Sequence, residues 1–257
     1  MSKFLPYRIS AQTLIEAGDG VVSEGLFVNM PGVMVLATDD GLTDSARALF
    51  QRLNIFTGQS DTDLLAEFIA RVTYLSFPFD QKMSREASGR LHTQLKTMGH
   101  TSPYEVAAVR PSVLVAGLAI ETLFEFVANK YEIGRMTSSR TRAMNTPLYR
   151  IPSSDSPLSD AIRSYLHDSI RAYEAWRSKL PDQASKDVTE SLNILHPGCK
   201  AGYMVVAGDP SFWNKKISRR LVDHDDGVEH ELRSVLYRIA DLLHGCDPSI
   251  NAASFYG

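Results

Sequence analysis

Short apolar runs are scattered among long amphipathic stretches, without the regular strand–helix–strand repeat that a doubly wound parallel sheet needs. Gly25 to Asn29 and Gly32 to Ala37 are apolar and bounded by Gly or Pro, the pattern of strands. Ser112 to Ile120, rich in Val and Leu, reads as a buried strand, and Tyr203 to Ala207 as a short one. Between them, Leu42 to Leu53 places Ala46, Leu49, Phe50 and Leu53 on one helical face. Asp61 to Val72 does the same with Leu64, Leu65, Phe68, Ile69 and Val72. Ser84 is placed to cap a third helix that Gly99 ends. Further helices are expected over about 121–131, from Ser156-Pro157 onward, and over 228–243. This irregular mixture predicts an α+β fold, with a mixed sheet and flanking long helices. One domain is expected over residues 1–257, with residues 1–40 as an N-terminal strand extension.

Charge narrows the function classes. Lys plus Arg is 27 and Asp plus Glu is 30, a net charge of −3, which disfavours a dedicated nucleic-acid binder. No run approaches the ~20 apolar residues of a membrane span. The start of the chain lacks the basic-then-apolar pattern of a signal peptide. Two widely separated cysteines, Cys199 and Cys246, make no metal-binding pair, and a cytoplasmic protein is expected.

Four segments carry candidate chemistry. Gly99 to Glu105 contains His100, Ser102 and Glu105; without a ligand, Ser102-x-x-Glu105 reads as a capping box. Lys130 to Arg150 holds Lys130, Arg135, Arg140, Arg142 and Arg150 against the single acid Glu132, interleaved with Thr137, Ser138, Ser139 and Thr141. Guanidinium forks and hydroxyls suit phosphate, and the alternative is a solvated basic loop. Asp209 to Arg220 carries Trp213, Asn214, Lys215, Lys216, Arg219 and Arg220, or is simply an amphipathic surface helix. His224-Asp225 matches the two-residue signature of metal-dependent phosphohydrolases, with His92, His100 and Asp247 elsewhere, but both aspartates at 225 and 226 also suit a helix cap. Dinucleotide, P-loop, nucleophile-elbow and zincin motifs are absent, and Cys199 has no activating context.

The order of these segments resembles the flavin-dependent thymidylate synthases, over about residues 97–248. Gly99, His100, Ser102 and Glu105 match the family's Gly-His-x-Ser/Thr-x-x-Glu element, whose Ser and Glu lie near the flavin. Leu195-His196-Pro197 matches a Leu-x-Pro-like element. Asn214 and Arg219 match an Asn followed five residues on by Arg, and Glu231-Leu232-Arg233 a later Glu-Ile-Arg-like element. The family's defining Arg-His-Arg triplet is replaced by Lys130-Tyr131-Glu132. One register of that stretch aligns Arg142 with its closing Arg; a register shifted by two puts Ser138 and Arg140 on its Ser-x-Arg pair. A phosphate-binding Arg of the family falls near Asn193.

The resemblance implies a flavin-dependent C5-methylation of a uridine nucleotide, most like the branch that methylates UMP in the biosynthesis of polyoxin-type antibiotics. It implies methylenetetrahydrofolate as carbon donor, FAD as hydride carrier, NADPH as reductant, and a homotetramer. Arg219 would polarise the uracil. Ser138, Ser139, Arg140, Arg142 and Arg220 would hold the substrate. His100, Ser102, Glu105, Lys130, Arg135 and Asn214 would serve the flavin, and no metal is expected. The alternatives are a non-catalytic nucleotide- or flavin-binding relative, or a metal phosphohydrolase built on His224 and Asp225.

Overall fold

The computed structural model describes residues 5–79, 81–127, 135–138, 148–151, 157–180, 199–221 and 230–250. The chain opens with helix α1 (Leu5–Ala17) and strands β1 (Val21–Ser23), β2 (Phe27–Met30), β3 (Gly32–Thr38) and β4 (Gly41–Leu42). Helices α2 (Asp44–Arg52), α3 (Asp61–Tyr74), α4 (Arg85–Thr97) and α5 (Ser102–Ala107) follow. Next come β5 (Ser112–Ala119), α6 (Ile120–Val127), β6 (Arg135–Ser138), β7 (Tyr149–Arg150) and α7 (Pro157–Ser178). The described chain ends with β8 (Ala201–Ala207), α8 (Pro210–Leu221) and α9 (His230–Cys246).

Caps explain where several helices begin. Thr43 accepts from the Ala46 amide, Ser60 from Asp63, and Ser84 from Ala87, each satisfying one orphan donor. The Asp209 carboxylate accepts from the Phe212 amide at 2.7 Å at the start of α8. The Ser156 cap expected for α7 lies outside the described residues.

Five strands form one sheet in the order β4-β3-β5-β8-β6, and every pairing in it is antiparallel. Among the described residues, mixed pairing is confined to the small sheet β1-β2-β7, where β2 runs antiparallel to β1 and parallel to β7. The α+β class expected from the sequence is therefore observed.

Side-chain alternation divides the large sheet into two apolar faces. Met34, Leu36, Leu114, Ala116, Tyr203 and Val205 pack with residues of α1, α2, α3 and α5. Val33, Val35, Val113, Val115, Met204 and Val206 pack with α6, α8 and α9. Both faces of β5 and β8 are covered, which is why these strands are apolar at nearly every position. A third cluster of Phe27, Tyr149, Ile151, Leu166 and Ile170 seats α7 on the small sheet.

The first forty residues differ from the strand extension expected of them. They begin with a helix, and β3 is an interior strand between β4 and β5. Gly32 permits the approach of α1, because a Cβ there would sit 2.2 Å from the Ile15 carbonyl oxygen. Gly117, at a φ of 91°, occupies the register shift between β5 and β8, where a side chain would also meet Val28.

Candidate functional site

The segment Gly99 to Glu105 joins α4 to α5. Gly99 adopts a φ of 67° and closes α4 with two reverse bonds, His100 N to Leu95 O at 2.9 Å and Gly99 N to Lys96 O at 3.1 Å. This is the glycine-terminated helix end in which two orphan carbonyls are satisfied at once. The capping box expected at Ser102 and Glu105 is not formed. Thr101 is the N-cap residue and Ser102 the first helical residue, and the Thr101 hydroxyl donates to the Glu105 carboxylate at 2.8 Å. His100, Ser102 and Glu105 are exposed, while Pro103, Val106 and Ala107 are buried. Helix α5 packs against α3, β8 and the edge strand β6.

Behind α5 lies a buried polar network that matches no catalytic or ligand-binding sequence motif. Glu67 is fully buried on α3. Its Oε1 accepts from Arg71 Nε at 2.9 Å and Nη2 at 2.7 Å; its Oε2 accepts from Gln59 Nε2 at 2.8 Å and Ser88 Oγ at 2.5 Å. Arg71 also donates to the Ser76 carbonyl. His92 on α4 joins this cluster to α5: its Nε2 lies 3.1 Å from Gln59 Oε1, and its Nδ1 lies 2.6 Å from the Tyr104 hydroxyl. Burial, with the negative charges of Asp63 and Glu67, raises the Tyr104 phenol above its ordinary value. The sequence signal for the node was a Glu and an Arg four residues apart inside the otherwise apolar run from Leu64 to Val72.

The two cationic segments behave differently from their composition. Arg135 and Ser138 lie on β6, the strand beside α5. Lys130, Ser139, Arg140 and Arg142 lie outside the described residues. Arg150 is paired through Nε with Glu231, which also accepts from Thr122 Oγ1 at 2.6 Å. On α8, Lys216 is buried, and its ammonium donates to the Phe126 carbonyl at 2.6 Å. Arg220 donates to the Glu125 carboxylate and to the Glu125 carbonyl, each at 3.1 Å. Both cations thus meet the last turn of α6, where carbonyls lack helical partners and the helix dipole is negative. Asn214 donates to the Ser249 carbonyl at 3.0 Å. Arg219, half-buried, meets no acid or carbonyl among the described residues.

Geometry sorts the candidates into two groups. His100, Ser102 and Glu105 belong to the α5 side of the sheet, next to the strand carrying Arg135 and Ser138. Asn214, Arg219 and Arg220 belong to α8, which packs on the opposite face. One protomer does not bring the two groups together on one face.

Other candidates are weaker. His224 and Asp225 lie outside the described residues, and no group of three His, Cys, Asp or Glu among the described residues is arranged to hold a metal. Cys199 and Cys246 are free thiols, and burial pushes Cys199 up to about 11, away from a reactive thiolate. Burial pulls Lys200 down to about 8. No described helix is long and apolar enough to cross a membrane.

The fold defines a mixed α+β protein whose antiparallel sheet is covered by helices on both faces. No protein-family model matches the sequence, and no curated protein matches it. Among solved structures it is similar to the UMP/dUMP methylase PolB from Streptomyces cacaoi, determined with 5-Br UMP bound. The likeness has a TM-score of 0.44 and 13% identity, covering 90% of this chain and 97% of the other.

Proposed function

We propose that this chain methylates C5 of a uridine nucleotide, UMP or dUMP, in the manner of the flavin-dependent thymidylate synthases that its motif order resembles. The observation that carries the proposal is the packing of α5 beside β6, which sets the Gly-His-x-Ser-x-x-Glu segment next to the strand bearing Arg135 and Ser138. Two segments far apart in sequence, both with the hydroxyl and charged groups that a nucleotide or flavin requires, share one edge of the sheet.

The residues present fit a flavin in donor chemistry. His100, Ser102 and Glu105 form an exposed polar rim over a buried apolar support. With Lys130, Arg135 and Asn214, they would hold FAD. Bound FAD would supply the hydride, replenished by NADPH, and methylenetetrahydrofolate the carbon. The chain's own work is positioning and electrostatics. Arg219 polarises the uracil carbonyl side where negative charge develops, and Ser138, Ser139, Arg140 and Arg142 hold the nucleotide. Arg220, engaged by Glu125, supports α8 beside them.

The opposite-face arrangement of α5 and α8 favours a site completed by a second copy, in keeping with a homotetramer. Tyr165 and Trp176 on α7 are 66% and 56% exposed, large apolar surface of the kind a subunit contact covers. The replaced triplet at Lys130-Tyr131-Glu132 favours one alternative, a relative that binds nucleotide or flavin without catalysis. One assay separates them: UMP and dUMP in parallel with methylenetetrahydrofolate, NADPH and FAD, following methylated product and the flavin spectrum. Product with flavin reoxidation is expected. Flavin or nucleotide binding without product selects the non-catalytic relative, and a protein that takes up neither FAD nor nucleotide overturns both.

A further inference from the structure

Helix α7 buries one face on the small sheet and leaves the other to solvent. Leu166 and Ile170 pack on Phe27, Tyr149 and Ile151, and Tyr173 is buried on the same side. On the opposite face Ala161, Tyr165, Asp168, Ala172 and Ala175 are all exposed. They recur at intervals of four and three residues, the spacing of a stripe that meets another helix. The two edges of this stripe differ. Tyr165 and Trp176 line one edge, about 16 Å apart along the axis. Asp168 and Arg171 line the other, with side chains 67% and 77% exposed. Asp160 lies in the first turn, and Lys179 just beyond the helix holds its ammonium 4.6 Å from the Trp176 ring centroid. The helix dipole accounts for an acid at the start and a base at the end, but it does not reach the middle, where Asp168 again precedes Arg171.

A face that runs from acid to base along its length complements itself when reversed. We propose that the exposed face of α7 pairs antiparallel with the same face of a second copy of this chain, about a two-fold axis at the level of residue 170. Reversing one helix about that level sets Asp168 beside the partner's Arg171, Asp160 beside the partner's Lys179, and Tyr165 beside the partner's Trp176, each contact occurring twice. The aromatic edges meet on one side of the helix pair and the charged edges on the other. Ala172 and Ala175 between them let the axes approach to about 8 Å. A parallel pairing in register would set like charges together at Asp168 and at Arg171, so charge selects the antiparallel arrangement. Each α7 is seated on its own small sheet, so the two small sheets flank the helix pair. The pairing gives the second copy invoked above a defined surface, and it rests on no catalytic step.

Sedimentation equilibrium of the full chain, without nucleotide or flavin, tests this. Wild type should self-associate. Asp168→Arg and Arg171→Asp, each measured alone, set like charges together twice and should weaken association at least about tenfold. An equimolar mixture of the two variants restores both ion pairs in the mixed dimer, and its affinity should return to within about threefold of wild type. Tyr165→Ala with Trp176→Ala should also weaken association at least about tenfold. All of these positions are exposed, so the Tm of each variant under dissociating conditions should stay within about 2 °C of the wild-type monomer. Where wild type is a tetramer, the variants should fall to half its mass. Wild type that remains monomeric overturns the pairing, as do single variants that associate like wild type, or a mixture no tighter than either variant alone. Each of those results leaves the methylation proposal to its own assay, and a failed methylation assay leaves the pairing standing.

Discussion

The two sides of the large sheet handle buried charge in different ways. On the α3 side one carboxylate, Glu67, collects four donors from Arg71, Gln59 and Ser88 and is closed off from water. On the α8 side the charges are dispersed. Lys216 and Arg220 meet the end of α6, Arg150 meets Glu231, and Arg219 meets no acid among the described residues. A dense node is expensive to break but holds three elements, α3, α4 and the loop before α3, in one arrangement. Dispersed pairs tolerate the loss of a member, and one cation of α8, Arg219, has no acid or carbonyl partner among the described residues. A charge count along the sequence does not show which cations are engaged in the fold.

The largest expected effect comes from breaking the dense side. Glu67→Ala leaves the Arg71 guanidinium buried without its carboxylate and strands the Gln59 and Ser88 donors. A loss of about 3–5 kcal/mol is expected in equilibrium urea unfolding. Replacing the pair together, Glu67→Leu with Arg71→Met, should recover much of that loss, because no buried ion then lacks its partner. If Glu67→Ala costs less than about 1 kcal/mol, the node does not hold α3 and α4 together, and the contrast between the two sides disappears.

A smaller effect is expected on the dispersed side. Glu231→Ala removes the acceptor of both Arg150 and Thr122, but Arg150 keeps the Val28 carbonyl at 3.1 Å. A loss of about 2 kcal/mol is expected, with Glu231→Gln intermediate because it retains an oxygen for the hydroxyl and arginine hydrogen bonds. A cost equal to that of Glu67→Ala would show that the two sides are alike, and the unfolding midpoints of the three variants decide it.

The contrast also shows what was legible in the sequence. The strands β3, β5 and β8 and the helices α2, α3 and α4 followed from apolar periodicity and cap residues, since those signals are local. Helix α1 was not anticipated. Its buried apolar residues, among those described, are Ala11, Leu14 and Ile15, followed at once by Gly18 and Gly20, too short a stripe to stand out from the strand-like runs after it. The capping box expected at Ser102 does not form because the backbone places the cap at Thr101, whose hydroxyl donates to Glu105 instead of accepting a helix amide. At the candidate site, composition identified the cationic segments but not their partners. Glu125, Glu231 and the α6 carbonyls come from other elements, and no local pattern links them to α8 or β7.

The smallest stability effect, and the most informative for function, belongs to Arg219. Because it meets no acid or carbonyl among the described residues, Arg219→Ala should shift folding stability by no more than about 0.5 kcal/mol. Removing a guanidinium that contacts the bound base should nevertheless weaken UMP or lower the methylation rate at least about tenfold, the loss of one charge-assisted hydrogen bond. Arg220→Ala is the control on the same helix. It breaks the Glu125 contacts, should cost about 1 kcal/mol in stability, and should affect UMP less than Arg219→Ala does. Urea unfolding and UMP calorimetry on the two variants place them on separate axes if one cation serves the fold and the other the ligand. If Arg219→Ala destabilises the protein as much as Arg220→Ala and leaves UMP binding intact, Arg219 is another structural contact, and the nucleotide must be held by different residues.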